Sequence, residues 1–472
     1  MSVVAAADAA LVPDLMGQLD GAERRLLGDL VVQLYAKRER HRLRASYYDM
    51  TNLLRDLGIA VPPNLRHLEV AMGWPAKAVD GLARRVKFTG FALPGGDVDS
   101  FGIPQMWADN RMAVEAPQAQ TSALLHSVAF ILTTKGDPSV GEPDVLMSVY
   151  DATSATGTWD ANRRGMTSFL GIVDSDEHGA TRMLFFTPAR AHEIFRTEND
   201  RWRVRTLRHS LGRVPAEPLV YRPRPGRPFG SSRISRAVMS ITDSAMRTVI
   251  RSEVGAEFYS APQRYLLGAE EESFVGADGQ RRSTWDLVMG RILAIARDED
   301  GNVPELGQFP QISMQPHIEQ MRMWAQLFAA ETSLPVSSLG IVTDNPASAE
   351  AIYAAKEDIV IEAEATCDGF SPALVRSVIT GVQIRDGLMA PPPELLRLFG
   401  RWRDPSTPSR AAATDAVMKQ IQAGVLPPDS PVALEQLGYD DDAIQRITAD
   451  RRRSAARQEL AARLGRVSAD AG

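Results

Sequence analysis

The residues best placed to do chemistry in this chain are three carboxylates in close succession, Asp174, Asp176 and Glu177. Carboxylates at that spacing can share a Mg²⁺ ion and so support phosphoryl transfer. The same residues lie between two strand-like runs and precede His178-Gly179, which also reads as the polar tip of a hairpin. Asp298, Asp300 and Gly301 begin like a calcium loop, but no Glu stands at the closing position. His192-Glu193 starts a zinc-type helix motif whose second His is missing, and an ordinary strand position explains it. No GxxxxGK[ST], GxGxxG after a strand, HExxH or GxSxG occurs, and the seven histidines are scattered. We assign no catalytic residue, no metal ligand and no cofactor on this pattern.

Cations offer a second kind of chemistry. Arg233, Arg236, Arg247 and Arg251 fall together on one face of a helix expected from Arg233 to about Phe258. Such a stripe can face phosphates or acidic groups of a neighbour, or it can be a solvated face. Ser232 is the expected cap of that helix, and Ile234, Val238, Ile241, Ala245 and Val249 form its apolar side. A third feature is the connection over residues 335–348, about 14 residues where helix-to-helix connections usually take about 2 to 8. It runs through Val336, Ser337, Ser338, Leu339, Gly340, Ile341 and Val342, with Asp344 its only charge. Without Lys or Arg it cannot hold phosphates by ion pairing.

These features need elements to position them. Residues 18–58 have helical spacing (Leu26, Leu27, Leu30, Val31, Leu34, Tyr35), ended by Gly58 and Pro62-Pro63. Leu68 to Val86 predicts a second helix. Ile103 to Leu125 predicts a third that Pro117 kinks or divides. From Ser127 to Tyr221 the period becomes two, in short runs such as VAFILTT, DVLMSVYD and TRMLFFTP separated by turn clusters. Short turns between such runs favour an antiparallel meander. YRPRPGRPFGSS then marks a boundary before the long helix. Residues 261–315 are mixed short elements, Pro316 to Thr332 is a helix, and another runs from Ala349 to about Thr366. Residues 371–384 continue that helix after a break near Gly369 and Pro372. Everything after Pro391 is expected to be helical. The fold class is α+β.

The chain has 472 residues, 44% hydrophobic and 24% charged, enough for roughly three domains without disulfides. Its single cysteine, Cys367, cannot form an internal bridge, so a reducing compartment is expected. The N-terminus, with Asp8 and Asp14 and no basic start, does not read as a signal peptide, and no stretch is expected to span a membrane. The net charge of −6 argues mildly against a protein that grips DNA, though not against a passage that DNA slides through.

Several runs resemble the portal proteins of tailed bacteriophages, in the branch found in phages of actinobacteria. They are YYDMTNLLRDLGIAVP, GWPAKAVDGLARR, VPAEPLVYRPRPGRPFGSSRISRAV, EFYSAPQRYLLGAEEE and PVSSLGIVTDNPASAEAIYAAKE. The likeness spans roughly residues 20 to 385 and is one of whole pattern, since portals have no short signature. It implies a portal fold with an antiparallel-sheet wing, a two-helix stem, a small mixed clip and a helical crown. On that template residues 1–230 are the wing region, 231–260 a stem helix, 261–315 the clip and 316–334 the second stem helix. Residues 335–348 are then a loop into the DNA channel, 349–390 the wing helix and 391–472 the crown or tail.

The resemblance also implies a homo-oligomeric ring, usually dodecameric, at one vertex of the capsid, assembled in the host cytoplasm. Double-stranded DNA passes through it during packaging and ejection. Its implied partners are the terminase large subunit, then a head–tail adaptor, with major capsid and scaffolding proteins around it and no membrane. A small mixed segment between two helices, and the lack of a nucleotide site, agree with a passive conduit. A metal-dependent phosphoryl-transfer enzyme built on Asp174, Asp176 and Glu177, or another ring-forming connector, is the alternative.

Overall fold

A computed structural model of the chain describes residues 15, 17–54, 69–177, 179–260, 264–267, 305–308, 313–341, 354–406, 410–439 and 441–470. The chain divides into two units, Met1–Pro405 and Ser406–Gly472.

The first unit opens with α1 (Gly21–Tyr48), capped by Asp20, whose carboxylate accepts from the amides of Ala22 and Glu23 at 3.0 and 2.8 Å. Such a cap satisfies amides with no partner inside the helix. α2 (Trp74–Ala83) and strand β1 (Phe88–Ala92) follow. The predicted third helix is two helices, α3 (Ile103–Asp109) and α4 (Met112–His126). The division falls at Arg111, which takes a left-handed φ of 51°, and not at Pro117, which lies inside α4.

The period-two region forms two antiparallel sheets. β2 (Val128–Lys135), β3 (Val145–Asp151) and β9 (Ala216–Val220) make one, in the order β3-β2-β9. β4 (Ala155–Asp160), β5 (Gly165–Asp176), β6 (Gly179–Phe186), β7 (Arg190–Arg196) and β8 (Trp202–Arg208) make a meander in sequence order. β2 divides two cores by alternation. Ala129 and Ile131 face the main core, while Val128, Phe130 and Leu132 face a second one with Phe169 and Phe186. The inner face of α1 (Leu27, Leu30, Val31) covers Leu170, Met183, Phe185 and Ile194 of the meander.

Helix α5 (Arg236–Ser260) starts later than predicted. Ser235, not Ser232, caps it, accepting from the Val238 amide at 3.1 Å. Strands β10 (Arg264–Leu267) and β11 (Glu305–Gln308) pair antiparallel, and α6 (Gln315–Thr332) returns. α5 and α6 pack antiparallel: Ser235 donates to Glu331 at 2.9 Å at one end, and Trp324 donates to Thr248 at 3.2 Å further along.

α7 (Glu357–Arg385) is unbroken through Gly369 and Pro372, contrary to the expected interruption. Its buried face (Ile359, Ala363, Phe370, Leu374, Val378) is part of the main core, and that packing outweighs the local preference of proline. The region after Pro391 is not helical throughout. β12 (Phe399–Trp402) pairs with β1, setting Phe88 and Trp402 edge to face at 5.1 Å.

The second unit holds α8 (Arg410–Gln422), α9 (Pro431–Gln436) and α10 (Asp441–Asp470). Val417, Ala433, Leu434 and Ile444 are its buried apolar side chains among the described residues. Arg451, Arg452 and Arg453 are exposed, and Arg451 pairs with Asp429 at 2.7 Å. The fold is α+β with antiparallel sheets, and among the described residues no helix is long and apolar enough to cross a membrane.

Candidate functional site: the buried junction beneath the paired helices

The chain enters α5 through a segment that leaves β9 at Tyr221 and folds back at Gly230. Gly230 leaves no room for a side chain, since a Cβ there would lie 2.0 Å from the Tyr221 carbonyl oxygen, and its φ is +67°. The Ser231 amide bonds that carbonyl at 3.0 Å, and the Ser232 hydroxyl donates to the Leu125 carbonyl at 2.6 Å. This anchoring drives Arg233 into the protein.

Arg233 is 5% exposed. It donates to the Ala78 carbonyl in α2, to the Thr332 carbonyl at the end of α6 (2.5 Å) and to the Tyr221 hydroxyl (3.0 Å). It also pairs with Glu362 of α7 at 2.6 Å. Arg222 reaches the same Glu362 oxygen at 2.7 Å, and the Tyr221 hydroxyl donates to it as well. One guanidinium thus ties α2, α6, α7 and the entry to α5 together.

Burial alone would raise the Glu362 carboxyl, but Arg233, Tyr221 and Arg222 outweigh it and hold the group below its usual value. Burial pushes the Tyr221 phenol up to about 12. A buried ion pair of this kind costs about 3–5 kcal/mol when one partner is removed, because the other is left uncompensated.

The predicted arginine stripe is therefore split. Arg233 precedes the helix and sits in the core, where it neutralises Glu362, and so is not part of the charged face. Arg236 is exposed in the first turn of α5. Arg247 and Arg251 are half-buried, and Arg247 donates to Ser244 at 3.1 Å.

Along residues 335–348, Val336–Leu339 form a 3-10 turn, Leu339 is buried, and Val336 and Ile341 pack on the main core. Lys77 donates to the Ser338 carbonyl at 3.0 Å, and Gly340 turns the chain at a φ of +85°. The first half of the segment is thus packed against the core. Val342 and Asp344 lie outside the described residues, as do Asp298, Asp300, Gly301 and most of 261–315.

Asp174, Asp176 and Glu177 stand exposed at the β5–β6 hairpin. Asp174 faces Arg182 at 3.9 Å and Asp176 pairs with Arg196. Among the described residues no group of three or more His, Cys, Asp or Glu is placed to hold a metal ion. His192 is a buried strand residue between Thr206 (2.9 Å) and Glu23 (3.2 Å).

Sequence reasoning passed over Glu362. The signal is there: a carboxylate on the face of α7 that also carries Ile359, Ala363, Thr366 and Phe370 requires a buried partner.

The chain matches the family model "Phage portal protein, SPP1 Gp6-like" over residues 35–456. It is 30% identical over 434 residues to the portal protein of Mycobacterium phage D29, covering 90% of this chain and 88% of that one. It is 30% identical over 380 residues to the portal protein of Mycobacterium phage L5, covering 79% and 77%. A chain of the solved neck of a native GTA particle has 14% identity and a TM-score of 0.41 over 77% of this chain and 89% of that one. With the family model spanning most of its length and two mycobacteriophage portals at this identity, the chain belongs to the phage portal protein family.

Proposed function

We propose that this chain is the subunit of a closed ring, usually dodecameric in this family, at the portal vertex of the virion. Double-stranded DNA passes through its centre on packaging and ejection, and the ring is assembled in the host cytoplasm. The observation that carries the reading, beside family membership, is the antiparallel pair α5–α6 with the β10–β11 pair between them in the chain. Met323 and Leu327, one turn apart on α6, are 43% and 47% exposed although both are apolar. Neighbouring subunits packed head to tail around an axis would cover them.

In this reading residues 1–230 and 349–390 form the wing, 231–260 and 316–334 the stem, 261–315 the clip, and 391–472 the crown or tail. The clip docks the terminase large subunit and later a head–tail adaptor, and major capsid and scaffolding proteins surround the ring. Arg247 and Arg251 address neighbouring subunits. Residues 335–348 carry the channel loop, anchored to the core through Val336, Leu339 and Ile341. The portal family is structural and non-enzymatic, and this chain acts as a conduit without catalysis.

Light scattering after size exclusion tests the ring: a species many times 51.6 kDa is expected at some protein and salt concentrations. Replacing Arg247 and Arg251 together by Glu is expected to lower the fraction in that species. A chain that stays monomeric at high concentration across salt conditions overturns the reading.

A further inference from the structure

A cleft of about 580 Å³ lies between α1, the turn before α5 and the first turn of α5. Five cations line it. Lys37, Arg40 and Arg44 come from one face of α1, at three- and four-residue spacing; Arg227 comes from the turn and Arg236 from α5. No carboxylate lines the cleft, and none of the five is ion-paired among the described residues. Their positions are fixed by the fold. Arg227 is presented by a tight turn in which its amide bonds the Arg224 carbonyl at 2.8 Å. Arg44 donates to the His126 carbonyl at 2.9 Å, and the Lys37 ammonium stands 5.8 Å from the centre of the Phe229 ring.

A solvated basic face does not account for this arrangement. Lys37 and Arg44 are only half-exposed. Burial, with Arg40 and Arg227 nearby, pulls Arg44 down to about 10, and burial with Arg40 lowers Lys37. The free protein thus holds cations together in partial burial without a counter-charge, which is costly. A ligand carrying that charge relieves the cost. A tetrahedral phosphate, with two non-bridging acceptor oxygens in a backbone diester and more in a free ion, is matched by several guanidinium groups bonding its oxygens in pairs. Gly230 and Ser231 add a backbone edge and a hydroxyl to the same wall.

We propose that this cleft is a phosphate-binding site, with Lys37 and Arg44 at its floor and Arg40, Arg227 and Arg236 at its rim. The phosphate can come from a free ion or from a nucleic-acid backbone. The site is complete within one chain, so it stands or falls independently of the ring.

Calorimetry with sodium pyrophosphate, and fluorescence anisotropy with a labelled oligothymidylate, test it on the full-length chain. At least one of the two is expected to bind, more weakly as salt rises. Arg40→Gln with Arg227→Gln, both exposed in the native protein, should weaken binding at least tenfold while leaving thermal melting near the wild-type value. Arg44→Gln should weaken it further where that variant folds. Binding of pyrophosphate alone assigns the site to a free phosphate. Oligonucleotide binding displaced by pyrophosphate assigns it to a backbone phosphate. No binding of either probe at millimolar concentration, binding unchanged in the rim variant, or binding of a poly-aspartate peptide in preference to both overturns the proposal.

Discussion

Two carboxylates buried at α7 meet the same problem with opposite results. Glu362, on α7, has one oxygen held at 2.6 and 2.7 Å by Arg233 and Arg222, with Tyr221 donating as well, and its pKa is lowered. Glu217, on β9 against α7, has Arg213 and Arg376 at 3.5 and 3.8 Å, and burial pushes it up to about 7 against their pull. Arg213 spends its better contacts elsewhere, on Thr380 (2.8 Å) and Gln383 (2.6 Å). A nearby arginine does not by itself keep a buried carboxylate charged. Short, directed contacts do, because only they replace the lost water.

Removing the strong side of the comparison should have the largest effect. Arg233→Met leaves Glu362 with only the exposed Arg222 and the Tyr221 hydroxyl, and should cost about 3–5 kcal/mol in urea unfolding. Arg233→Met combined with Glu362→Gln should cost less than the sum of the two single changes. Additive costs would mean that the pair is not coupled.

The weak side should show itself through pH. Glu217 is protonated when folded up to about pH 7 but ionises near the ordinary glutamate value of 4.5 when unfolded. Its contribution is fully present below pH 4.5 and is lost as pH rises through about 7, a change of about 3 kcal/mol for a shift of that size. Glu217→Gln removes the titration, so its urea midpoint should fall less than that of the native protein between pH 5 and 8. Parallel pH profiles would place Glu217 in the ionised class beside Glu362.

The smallest effect belongs to ion pairs in water. Asp174→Ala with Asp176→Ala, on the exposed hairpin, should cost under about 1 kcal/mol and leave assembly unchanged. Loss of assembly would return those carboxylates to a functional role.

The meander was open to sequence reading because alternation over 128–220 reflects burial on one face of each strand. β12 was not, since four residues are too few for a period and its partner β1 lies far away in the chain. Pro372 misleads for a related reason: local preference is set against a helix face packed into the core, and packing decides. Arg233 falls on the stripe only if the helix is capped at Ser232. With Ser235 as the cap, the preceding residues are free to turn inward. The Glu362 site was half legible, as a charge on an apolar helix face, but its partner sits 129 positions earlier in the chain and only the fold brings the two together.

Electron micrographs of the purified full-length protein test the portal assignment most directly. The account predicts closed rings with a central hole, in which α5 and α6 stand beside the axis and Met323 and Leu327 are covered by the neighbouring subunit. Compact particles without a hole, or open filaments at every protein and salt concentration, would contradict it.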